Sequence, residues 1–177
     1  MKTTRLIALL RGINVGGHHK VPMAELSKAM EQLGCSGIST LLNTGNVLFN
    51  APEKNISETA IEAHLQEVFG FSIPVILRTF DELSELVQTD PFKEIVVTKD
   101  TRLYVTFLKN KPKTDLQLPY FSADRSFQII SVSSTAVLSI LDLSIGKTVK
   151  GMDDLEKLFG KEVTTRNWNT VVKLTNK

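Results

Sequence analysis

The chain has 177 residues, 42% apolar and 23% charged, with a net charge of +2. This is ordinary globular composition, and the length suffices to bury about two-thirds of the unfolded surface without staples. The charge is too small to imply nucleic-acid binding by itself, and the single cysteine, Cys35, excludes an internal disulfide.

The apolar run after Arg5 is cut off by Arg11 and Asn14. It falls far short of the about 20 apolar residues of a membrane span and lacks the form of a signal peptide. A cytoplasmic protein without a membrane partner is expected. Residues 5–10 are nearly all apolar, as in a strand buried on both faces. A polar loop follows, Arg11-Gly12-Ile13-Asn14-Val15-Gly16-Gly17-His18-His19-Lys20, and Pro22 opens a helix. Met23, Leu26, Met30 and Leu33 give that helix its apolar face, and Gly34 ends it. Residues 37–42 and Val47-Leu48-Phe49 read as a hairpin, with Asn and Gly of Asn43-Thr44-Gly45-Asn46 supplying positive φ at its turn.

Asn55-Ile56-Ser57-Glu58 has capping-box spacing before a helix with Ile61, Leu65, Val68 and Phe69 on one face. Gly70 terminates it, and residues 71–77 form a strand in which Pro74 favours an edge. The order strand–helix–strand–strand–helix–strand is a split βαβ, ferredoxin-like unit. Thr79-Phe80-Asp81-Glu82 then starts a short connecting helix through Val87. A second half repeats the pattern loosely. It has a strand at 102–108, a basic turn with Lys109, Lys111 and Lys113, and an irregular or helical piece at 116–120. A hairpin at 127–132 and 136–143, a loop at 146–151 and a helix ending at Gly160 follow. Thr164 or Thr165 would cap a last helix carrying Trp168, Val171, Val172 and Leu174. The expected division is residues 1–79, a connector at 80–100, and 101–177.

Three polar segments stand out as candidates for a site. The first loop offers glycine amides near a helix start, a favourable place for an anion. Its spacing fits neither a dinucleotide fingerprint nor a P-loop, because His18-His19 stand where Lys-Ser would be needed. The bland alternative is a turn that covers the sheet. Asn43 and Asn46 either serve the hairpin turn or present amides to a ligand. In Thr164-Thr165-Arg166-Asn167-Trp168-Asn169-Thr170, Arg166 could form a fork for carboxylate or phosphate. Trp168 would fill the core or, if partly exposed, stack on a ring. His18, His19, His64 and Cys35 lack metal-ligand spacing, Cys35 has no activating neighbour, and no carboxylate pair suggests acid–base chemistry. No metal, no cofactor and no catalytic residue is assigned.

These segments together resemble a bacterial family known only as domain of unknown function 1697. Ala8 to Gly17 matches its opening A-L-L-R-G-I-N-V-G-G pattern, Lys20 to Leu26 its helix start, Asn43 to Asn46 its N-S-G-N hairpin, and Thr164 to Thr170 its T-x-R-N-W-N-T segment. Thr44 replaces the usual Ser. The resemblance implies an α+β fold with ferredoxin-like halves and supplies no activity; with the elements read above, the expected fold has two such halves in tandem, antiparallel or mixed sheets and a C-terminal helix. The leading expectation is an anionic ligand (a nucleotide, a phosphorylated metabolite or nucleic acid) held by Arg11, Asn14, Gly16, Gly17, Lys20, Asn43, Asn46, Arg166, Asn167 and Trp168. The rivals are a small transferase or hydrolase on such a ligand, and polar motifs that only hold loops together. No feature specifies an oligomer.

Overall fold

A computed structural model describes residues 4–52 and 56–177. The chain divides into two compact units, residues 1–88 with 174–177, and residues 89–173. Asn55 of the expected capping box lies outside the described residues; Ser57 caps its helix by accepting the Ala60 amide at 3.1 Å.

The first unit runs β1 (Arg5–Leu10), α1 (Met23–Gln32), β2 (Ser36–Leu41), β3 (Asn46–Asn50), α2 (Glu58–Phe69), β4 (Val75–Thr79) and α3 (Phe80–Gln88). Its sheet has the order β2-β3-β1-β4, and every pairing is antiparallel. That order and connectivity are those of the ferredoxin-like unit expected. Strand alternation sends Ala8, Leu10, Val47, Phe49 and Val75 toward Leu26, Met30, Ile61 and Leu65 of the two helices. Ile7, Leu9 and Leu48, which alternate with them, are also fully buried, so β1 is covered on both faces as its sequence requires.

Edge strand β4 is closed by carboxylates. Val75 donates its amide to Glu62 Oε1 at 2.9 Å, Leu77 to Glu58 Oε1 at 2.8 Å and Thr79 to Glu82 Oε2 at 2.7 Å. The two α2 glutamates stand one helical turn apart, a spacing that matches alternate residues of the strand. Glu82 also receives the Thr79 hydroxyl, and its own amide donates to that hydroxyl, completing the capping box at α3. Pro74 stands just before the strand, not within it.

The second unit runs β5 (Thr101–Leu108), β6 (Tyr120–Phe121), β7 (Phe127–Val132), β8 (Ala136–Asp142), α4 (Thr148–Phe159), β9 (Val163–Asn167) and α5 (Trp168–Thr175), whose last residues return to the first unit. The sheet order is β6-β7-β8-β5-β9, again all antiparallel. With β5, β7, β8 and β9 in place of β1, β2, β3 and β4, the order repeats. The difference is that residues 109–119 carry no helix, so the first crossover is extended. Leu155 of α4 and the buried Phe127, Ile129, Val137 and Leu141 form this unit's core.

Two sequence expectations change here. The loop expected at 146–151 already contains the first turn of α4, in which Gly151 lies flat against Phe127; a Cβ there would stand 3.0 Å from its ring. Thr164 and Thr165 are not helix caps but strand residues. β9 pairs with β5, Thr106 and Thr165 share a cross-strand hydroxyl bond of 2.8 Å, and α5 begins only at Trp168.

Residues 174–177 complete the first unit. The Lys177 carbonyl accepts from Arg5 Nη2 at 3.0 Å, and Lys177 Nζ donates to Ser39 Oγ and to the Thr40 carbonyl, both at 2.8 Å.

Candidate functional site

The first polar loop is built as a small internally bonded turn. The Leu10 amide donates to the Gly45 carbonyl and the Arg11 amide to the Pro74 carbonyl, so the end of β1 is gripped from both sides. Beyond it the Asn14 amide donates to the His19 carbonyl and the His18 amide to the Val15 carbonyl. The Asn14 side chain spends its polar atoms on backbone. Its Oδ1 accepts the Val21 amide at 2.8 Å, and its Nδ2 donates to the Val21 carbonyl at 3.0 Å and the Asn43 carbonyl at 2.8 Å. Its φ of 55° is a left-handed value that Asn tolerates better than most residues.

Asn46 is fully buried and donates Nδ2 to the Leu41 carbonyl and to Thr44 Oγ1, both at 2.9 Å. The hairpin loop therefore depends on this side chain. Positive φ comes from Leu42 and Gly45, not from Asn43. Gly45 is also needed for space: a Cβ there would stand 2.6 Å from the Leu10 Cβ. Gly16, Gly17, Lys20 and Asn43 are exposed, and Arg11 is half-buried. The Gly16 and Gly17 amides make no hydrogen bond among the described residues. His18 and His19 are exposed, with the His19 ring stacked on Phe71 at 4.5 Å.

In the second unit Arg166 is 8% exposed. Its Nη1 donates to Thr164 Oγ1 at 2.7 Å and to the Thr165 carbonyl at 3.0 Å. Burial lowers the guanidinium pKa to about 10. The strand register turns Arg166 with Val105, opposite the face that holds Thr106 and Thr165. Asn167 ends the strand exposed, and Trp168 starts α5 half-buried, its ring edge-on to Phe92 at 5.2 Å. Both line an open groove of about 750 Å³ together with Phe92, Lys99, Arg102 and Asn169. Arg102 Nη1 donates to the carbonyls of Lys99 and Thr101 at 2.8 and 3.0 Å, which leaves other guanidinium donors at the groove. Sequence reading found Asn167 and Trp168 but missed Lys99 and Arg102. Their only signal was two cations flanking the start of a strand.

Among the described residues no group of three His, Cys, Asp or Glu could hold a metal ion, and no helix is long and apolar enough to cross a membrane. Cys35 is buried, and desolvation raises its thiol pKa to about 11. Asp124, between β6 and β7, accepts from Ser122 Oγ and Ser126 Oγ at 2.8 Å, from the Ser126 amide at 3.1 Å, and from Lys150 Nζ. The lysine first, then the two serines, hold its carboxyl well below the usual range.

Two ferredoxin-like halves in tandem define the class: an α+β protein with long polar loops at its sheet ends. The chain belongs to the family described as protein of unknown function (DUF1697), which matches residues 3–136. It is similar in fold to the conserved bacterial protein SP0830 from Streptococcus pneumoniae, with a TM-score of 0.70 and 21% identity over 99% of this chain and 98% of that one. An unknown protein from Galdieria sulphuraria aligns over 94% of this chain and 99% of that one at 12% identity, with a TM-score of only 0.27. No curated protein matches the chain.

Proposed function

We propose that the protein binds a nucleotide-like anion in the groove at the start of α5. The observation that carries this reading is the half-buried Trp168 beside Lys99 and Arg102 in an open groove. A tryptophan face stacks on any base, at about 1–3 kcal/mol per base, and two nearby cations favour a phosphate. Asn167 and Asn169 add amides that both donate and accept. The groove volume suits a mononucleotide or a short single strand. The first loop offers a separate anion contact through Lys20, Arg11 and the amides of Gly16 and Gly17, and the groove does not depend on it.

Trp168 is the only tryptophan, so its fluorescence reports the groove directly. Titration with nucleoside monophosphates and with short RNA should change its emission saturably, and Arg102→Ala should weaken binding about tenfold or more. Saturable binding that Arg102→Ala leaves unchanged, or no response to any of these ligands, overturns the proposal.

A second reading, that the polar motifs serve architecture alone, is favoured for part of the set by the internal bonds of Asn14, Asn46 and Arg166. Loss of folding without any nucleotide-dependent Trp168 signal would decide for it.

A further inference from the structure

The extended crossover of the second unit borders another groove, of about 720 Å³, at the far end of β5. Its walls are the segment 110–114 and the junction between α4 and β9. Leu108, Leu158 and Phe159 give it apolar surface, while Lys111, Lys113 and Lys161 surround that surface. Lys111 and Lys113 are exposed and have no ion pair or hydrogen bond among the described residues. The one carboxylate on the groove, Glu162, accepts from Asn110 Nδ2 at 2.8 Å and ties the crossover to the start of β9. The Lys109 amide adds a second tie, to the Glu162 carbonyl at 3.0 Å.

Three lysines against one glutamate make the rim cationic, and half-buried Leu158 and Phe159 offer an apolar wall. In sequence the lysines read as a solvated turn; the fold brings Lys161 from 48 or more positions away to join them. Pro112 restricts the crossover between Lys111 and Lys113 and lowers the entropy lost when a ligand orders it. The volume lies within the about 300–1,000 Å³ typical of small-molecule sites.

We propose that this groove binds a small amphipathic anion, with a phosphate or carboxylate head among Lys111, Lys113 and Lys161 and an apolar body on Leu158 and Phe159. The lysines act as point charges, which suit a head without fixed geometry. The site is separate from the Trp168 groove, and no residue lines both.

The test is an amide NMR titration of the full chain with octyl phosphate, octanol, inorganic phosphate, and vesicles of phosphatidylglycerol. Octyl phosphate should shift Leu158, Phe159 and Gly160 and bind about tenfold or more tighter than octanol or phosphate. Lys111→Ala with Lys113→Ala should weaken it about tenfold or more, and the double Lys→Arg variant should retain it. Both sites are exposed positions of the extended crossover, so these variants keep the fold. Four outcomes overturn the proposal: unchanged affinity in the double alanine variant, shifts confined to other residues, inorganic phosphate binding as tightly as octyl phosphate, or association with vesicles alone. Trp168 emission should stay constant throughout, which keeps this result independent of the nucleotide reading.

Discussion

Asn14 Nδ2 stands 2.8 Å from the carbonyl oxygen of Asn43, so one side chain fastens the loop after β1 to the tip of the β2–β3 hairpin. The same amide group closes both backbone bonds of Val21 just before α1. Asn14→Ala removes all three bonds and leaves a left-handed φ on a residue that resists it. Urea denaturation should show a loss of about 2 kcal/mol. Asn14→Gly, which restores the backbone freedom but not the bonds, should recover only part of it. A loss of a few tenths in both variants would show that the clamp contributes little.

The carboxylates along β4 predict two effects. Glu58→Ala and Glu62→Ala should each destabilise the chain by about 1–2 kcal/mol, because each leaves a strand amide without its acceptor. The double variant should also sediment faster with rising concentration, since an open edge offers a template for a second strand. The matching Gln variants keep an acceptor and should stay close to the parent in both measurements.

Cys35 should be slow to react. Its thiol is raised by burial from 9.0 to about 11, so at pH 8 the thiolate fraction is about a hundredfold below that of an unfolded thiol. A colorimetric disulfide reagent should label it at least that much more slowly in native buffer than in denaturant. Below pH 9 the thiol is neutral in the folded and the unfolded chain alike; as the pH climbs from 9 toward 11 the unfolded thiol ionises first, so stability should fall across that range.

Asp124 has the opposite sign. Its carboxyl is depressed by Lys150 and then by Ser122 and Ser126, so its contribution is present above the ordinary carboxylate range and is lost as the pH falls below it. Asp124→Asn should lower stability in the neutral region, where the carboxylate's contacts with Lys150 and the two serines contribute, and should flatten the acid limb of the stability profile below about pH 4. An unchanged acid limb would mean that the carboxyl titrates normally.

Much of the first unit was legible because its signals are local. The apolar stripe of α1, the left-handed stop at Gly70 and the capping box at Thr79 each lie within a few residues of one another. The second unit was harder, since its first crossover lacks the helix that topology leads one to expect. Thr164 and Thr165 resemble helix caps until β5 pairs with them, and that pairing joins residues 59 apart. The candidate site was half legible for the same reason. Trp168 and Asn167 announce themselves by type, whereas Lys99 and Arg102 matter only once the strand start lies beside α5. Asn46 looked like a turn residue or a ligand donor, and only burial reveals it as the brace of the hairpin.

Residues 174–177 belong to the first unit although 85 residues of the second precede them in the chain. On the ribosome, β1 to α3 must therefore wait, holding Arg5 and Ser39 without their partner at Lys177, until the later half has been made. A fragment stopped after residue 88 would emerge early yet unfinished, and the missing tetrapeptide, added in trans or fused to its end, is what should mature it.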